Sequence, residues 1–146
     1  MTAKEYLLQL QRLNTMIDQK IKELSDLRSV SMSIGCVDYS KNKTKTVPSG
    51  EAPFVKIIDK MVELDEEIGN EIDAFVDKKH DIINQIQGLR KHKHIEILYK
   101  HYVEYKRLEV IAVEMNFTYQ YIVELHGHAL KDFQKTYENL LKTYGP

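Results

Sequence analysis

A chain of 146 residues has room for one domain with a core, or for a small domain and an extended helical arm. Tryptophan is absent, prolines number three, and one cysteine, Cys36, excludes an internal disulfide, so a reducing cytoplasm is expected. The net charge of −1 offers no global attraction to nucleic acid, and no apolar run approaches the roughly 20 residues that span a bilayer, so no membrane partner is expected. The first residues also lack the basic and apolar regions of a secretory signal.

Thr2 and Glu5 have the spacing of a capping box, which predicts a helix from the start of the chain. Tyr6, Leu10, Leu13, Ile17, Leu24 and Leu27 then alternate steps of four and three, with Lys20 at the one polar seam position and Ile21 beside it. That is a coiled-coil seam of about three heptads, too narrow to bury itself, so the helix needs a partner. Lys20 either fixes the register or carries its ammonium out to water along its stem. From Ser31 to Pro53 the pattern breaks at Gly35, Ser40, alternating Lys41, Lys43 and Lys45, Pro48, Gly50 and Pro53, which predicts a flexible loop.

The partner helix follows from Phe54. Ile57, Met61, Leu64, Ile68, Phe75, Ile82 and Leu89 keep a heptad register, interrupted by polar gaps at Glu71, Lys78 and Gln85. Folding back as an antiparallel hairpin is the simplest arrangement, and an intermolecular coiled coil competes with it. Ile58, Ile72 and Ile86 widen the apolar stripe, which leaves surface for a second copy and predicts a homodimer. Gly88 marks the expected helix end, dividing an arm, residues 1–88, from a C-terminal domain, residues 89–146.

Ile95, Leu98, Tyr99, Tyr102 and Val103 predict a bracing helix for what comes next. The stretch Leu108 to Gly127, LEVIAVEMNFTYQYIVELHG, has the apolar grammar of a helix-turn-helix. Ile111, Met115 and Phe117 supply buried positions, Ala112 is the small residue where the helices cross, and Ile122 and Leu125 are the buried face of the second helix. Asn116 stands where the turn needs a left-handed backbone, and Thr118 where the second helix needs an N-cap. Leu130, Phe133, Tyr137, Leu140, Leu141 and Tyr144 continue the period, predicting one long last helix up to Gly145.

The chain from His94 to about Leu141 resembles region four of bacterial sigma factors. It resembles more closely the ArpU and RinA type of phage transcriptional regulators of Gram-positive prophages. The segments that carry this are ILYKHYVE, Ile97 to Glu104, and EVIAVEMNFTYQYIVELHGHALKDF, Glu109 to Phe133, with the opening MTAKEYLLQLQRL. Tyr105, Lys106 and Arg107 stand where relatives have a glycine turn followed by a Ser or Thr cap, and Tyr121 and Val123 stand where sigma-like domains favour arginine. The resemblance implies control of late phage genes in a bacterial host cytoplasm; the expected fold is all-α, and the helical arm would set dimer geometry or touch RNA polymerase.

If the second helix enters a major groove, Thr118, Tyr119, Gln120, Val123, Glu124, Gly127, His128 and Lys131 form its DNA-binding face. Gln can bond adenine in bidentate fashion, Glu can accept from cytosine, and Val can touch a thymine methyl, while Lys106, Arg107 and Tyr121 would meet phosphates. Residues 54 to 87 carry four basic and nine acidic side chains, whereas residues 88 to 146 carry nine basic and seven acidic ones. Acidity is thus concentrated away from the motif.

His92 with His94, and His126 with His128, have His-x-His spacing. On a helix residues two apart diverge by about 200°, so no metal site is expected. No phosphate-binding glycine loop or placed nucleophile occurs, and neither a cofactor nor enzymatic activity is expected. Two readings remain: a sequence-specific regulator on double-stranded DNA, or a non-catalytic adaptor that docks on RNA polymerase or another regulator through the acidic hairpin.

Overall fold

The computed structural model describes residues 1–41 and 51–144, with the backbone alone for residues 34–41 and 51–52. The described residues form an all-α structure, as expected, with no strand among them. Helix α1 is Ala3–Lys41, α2 is Glu51–Gln87, α3 is His92–Leu98, α4 is Leu108–Met115, α5 is Tyr119–Thr136 and α6 is Glu138–Tyr144. A π-helical turn, Tyr99–Val103, continues α3.

The capping box forms in both directions: Glu5 N–H donates to Thr2 Oγ1 at 3.2 Å and Thr2 N–H to Glu5 Oε2 at 2.9 Å. The Thr2 backbone N–H, and after it the Thr2 hydroxyl, hold the Glu5 carboxyl below the usual carboxylate range. The loop expected over 31–53 is helical at both ends, because α1 runs on to Lys41 and α2 starts at Glu51. Gly35 lowers helix stability without ending the helix, and Pro53 sits in the first turn of α2, where its missing N–H has no partner to lose. Residues 42–50, with Lys43, Lys45, Pro48 and Gly50, lie outside the described residues, as does the Cys36 side chain.

Two compact units divide the chain, Thr15–Ala74 and Met1–Asn14 with Phe75–Pro146. They do not part at residue 88. In the first unit α1 and α2 run antiparallel: Leu24 is buried with Leu64 and Ile68, and Leu27 and Met61 pack alongside. The seam's polar positions meet each other, since Lys20 pairs with Glu71 and, at 3.5 Å, with Glu67.

The second unit explains the different division. Tyr6, Leu7 and Leu10 from α1 and Ile82, Ile86 and Leu89 from the end of α2 share one core with Ile97, Leu98, Tyr102, Ile111, Ile122, Phe133 and Leu141. The C-terminal helices cannot close a core alone, so the hairpin ends complete it. Ile86, expected to face a second copy, is fully buried inside this core. The other two seam gaps are answered here: Tyr6 Oη donates to Gln85 Oε1 at 2.7 Å, and the Lys78 ammonium lies over the Tyr6 and Tyr144 rings.

Gly88 ends α2 as expected, but without a left-handed conformation. Its requirement is space. A Cβ there would collide with the Tyr137 hydroxyl, which donates to Gln85 O at 2.6 Å.

Candidate nucleic-acid interface

The bracing segment is built around an irregular step. Ile97 and Leu98 are buried, and the next buried pair is Tyr102 and Val103, a step of five where an α-helix repeats at 3.6. The π-helical turn absorbs the extra residue, with Glu104 N–H donating to Tyr99 O at 3.1 Å. Ile95 and Tyr99 pack at the core margin instead of inside it. Tyr105 then takes a left-handed backbone, φ 59°. His101 steadies that turn by donating from Nδ1 to Lys106 O at 2.7 Å.

Helix α4 closes as the sequence predicts. Asn116 is left-handed at φ 59°, ψ 43°, Phe117 N–H donates to Ala112 O at 3.0 Å, and Asn116 N–H to Val113 O at 3.3 Å, the paired bonds of a Schellman cap. Thr118 follows as N-cap of α5, its hydroxyl accepting from Tyr121 N–H at 3.2 Å. Ile111 and Ala112 of α4 and Ile122 and Leu125 of α5 are buried, and α5 packs on both α3 and α4. Two helices thus meet across a three-residue turn, with the second laid over the first.

The opposite face of α5 is open. Tyr119, Gln120, Val123, Glu124, Gly127, His128 and Lys131 are all exposed. A Cβ at Gly127 would meet nothing within 4 Å, so no packing among the described residues requires this glycine. Thr118 is exposed, but its hydroxyl is engaged in capping. Tyr121 tilts against Phe117, ring centroids 4.6 Å apart, and its hydroxyl accepts from Lys93 Nζ at 3.3 Å.

Packing of α3 against α5 brings Lys91 and Lys93, basic residues that lie just before the motif in sequence, alongside its second helix. An open cleft of about 810 Å³ lies between them, lined by Lys91, His92, Lys93 and His94 on one side and by Tyr121, Glu124, His128, Lys131, Asp132 and Lys135 on the other. Four lysines and two exposed histidines face two carboxylates, one of which is already committed. Asp132 Oδ2 accepts from Nδ1 of buried His94 at 2.8 Å, tying α3 to α5. Lys135 was legible as one turn beyond Lys131. The approach of Lys91 and Lys93 depends on tertiary packing, which no local pattern encodes.

Lys106 and Arg107 do not join this cleft. Arg107 is the N-cap residue of α4, while Lys106 pairs with Glu104 and Glu114 at 2.8 Å each. Those carboxylates, Glu104 first, hold the Lys106 ammonium above the usual lysine range, and Lys106 with Lys100 holds Glu114 below the carboxylate range. A cation so neutralised adds little at a phosphate.

Beneath α5 the histidines take unlike roles. Tyr102 Oη and His126 Nε2 share a hydrogen bond at 2.8 Å, and the ring of His101 meets that of His126 edge-on, centroids 4.9 Å apart. Burial pushes the Tyr102 phenol up to about 12 and pulls His126 down to about 4, the latter helped by neighbouring His101 and Lys4. His92 faces solvent near Glu96, at 3.9 Å, and His128 faces the cleft. Among the described residues no group of three or more His, Cys, Asp or Glu side chains converges as for a metal ion, and no helix is long and apolar enough to cross a membrane.

Compared with family models, curated proteins and solved structures, the chain matches none.

Proposed function

We propose that α4 and α5 are a helix-turn-helix that binds double-stranded DNA, with α5 in the major groove, and that the protein is a sequence-specific transcription regulator of phage or prophage genes. The observation that carries this reading is the two-sidedness of α5. Its inner face is buried, whereas Tyr119, Gln120, Val123, Glu124, His128 and Lys131 point to solvent without a hydrogen bond or ion pair among the described residues. Polar groups that read base edges have to be free in the unbound protein, and Lys91, Lys93, Lys131 and Lys135 lie where an adjoining phosphate strand would pass. The ArpU and RinA resemblance supplies the class of gene, and a two-fold symmetric site would make the bound form a dimer.

Titration of a selected DNA site against protein tests the placement. Four phosphate contacts predict a slope of log affinity on log salt of roughly −3.6, at about −0.9 per contact. Gln120→Ala should relax preference at one base position, by about 1–3 kcal/mol of discrimination. Lys131→Ala should weaken every sequence alike and flatten the slope by about one. Unchanged preferences in Gln120→Ala across a randomised site library would remove α5 from the groove.

A further inference from the structure

The seam that joins α2 to α1 uses only one side of α2. A second heptad row, Val55, Val62 and Gly69, runs at intervals of seven on the solvent side, with Ile58 and Ile72 filling the intermediate steps. Val55 is 51% exposed, Val62 63% and Ile72 39%. Among the described residues nothing accounts for Gly69, since a Cβ there would meet no atom within 4 Å. Glycine in mid-helix costs stability, and its usual return is close approach by another backbone. Alongside runs a row of acids at the same interval, Asp59, Glu66 and Asp73, each exposed and without an ion pair among the described residues. Asp65 lies inside the apolar row itself.

We infer that this face of α2 is a docking surface for an amphipathic helix of another protein, one with an apolar heptad seam and a basic margin of Lys or Arg. Charge decides the occupant. An antiparallel pair of α2 helices from two copies would set acidic rows face to face, and a parallel pair would set Asp65 against Asp65; like charges at these positions oppose pairing. A basic margin answers all four carboxylates, and a small residue opposite Gly69 lets the helices close up. The inference stands apart from the DNA reading, since it uses no residue of α5.

Two synthetic 21-residue helical probes with the same Ile and Leu seam, one margined by Lys and one by Glu, test it against the full chain by fluorescence anisotropy. The Lys-margined probe should bind about tenfold or more tighter at 0.05 M salt, with the difference shrinking as salt screens the margin. Val62→Asp should abolish its binding. The triple change Asp59→Lys, Glu66→Lys and Asp73→Lys should reverse the preference between probes, a result that no loss of folding can imitate. Equal binding of both probes, or of neither, overturns the inference. So does a dimer of the full chain in sedimentation velocity that Val62→Asp converts to monomer, because the occupant would then be a second copy.

Discussion

Side chains that act on their own backbone were the most readable from sequence. Asn116 takes the left-handed turn, Thr118 caps α5, and Thr2 with Glu5 caps α1, because each demand is satisfied within three or four residues. Thr118→Ala should therefore cost about 1 kcal/mol in urea unfolding. Asn116→Gly should be neutral or mildly stabilising, and Asn116→Val should destabilise by about 1–2 kcal/mol, since a β-branched residue resists positive φ. Tyr105 was not readable in this way: its left-handed backbone is imposed by the π-helical turn and the His101 bond. Gly88 was read as a helix-ending glycine, yet it is needed for the Tyr137 hydroxyl that lies against it. Gly88→Ala should thus destabilise although its φ suits alanine, and Gly88→Ala with Tyr137→Phe should recover part of the loss by removing the colliding oxygen.

Among elements, the heptad period placed α1 and α2 and their shared seam, while the polar gaps looked like flaws. The fold shows each gap to be half of a pair: Lys20 with Glu71, Lys78 with Tyr6 and Tyr144, Gln85 with Tyr6. Lys20→Met should lower the urea midpoint, because Glu71 is left half-buried without its cation and its Oε2 already lacks a protein partner. Adding Glu71→Leu should restore or exceed the original stability, since a fully apolar seam has no charge to desolvate. Periodicity misled at the last helix. The expected continuous helix turns at Tyr137, φ −115°, between α5 and α6, even though Tyr137 N–H still bonds Phe133 O and Leu141 N–H bonds Tyr137 O. A turn that keeps its hydrogen bonds leaves no breaker residue in the sequence. The break places both the Tyr137 hydroxyl and Leu141 in the core region of the second unit.

Across the whole molecule, the period of the helices revealed an all-α chain but not where it divides, because Tyr6 and Ile86 join the C-terminal core through packing between distant segments. The same packing sets a pH dependence. His126, held near 4 by burial against an ordinary 6.5, binds its proton more readily unfolded than folded. Stability from this group is complete above pH about 6.5 and is lost as pH falls toward 4, so the urea midpoint should drop from pH 7 to pH 5, and less steeply in His126→Gln. That site lies under α5, on the side away from the exposed face that carries the functional proposal. The most direct measurement is selection of genome fragments from a bacterium and its prophage by the purified protein at about 0.15 M salt, where non-specific phosphate contacts are already weakened. Enrichment of one short site, lost in a Gln120→Ala, Lys131→Ala double variant, is the predicted result. A folded protein that enriches no sequence, or whose enriched site survives both changes, would contradict the placement of α5 on DNA.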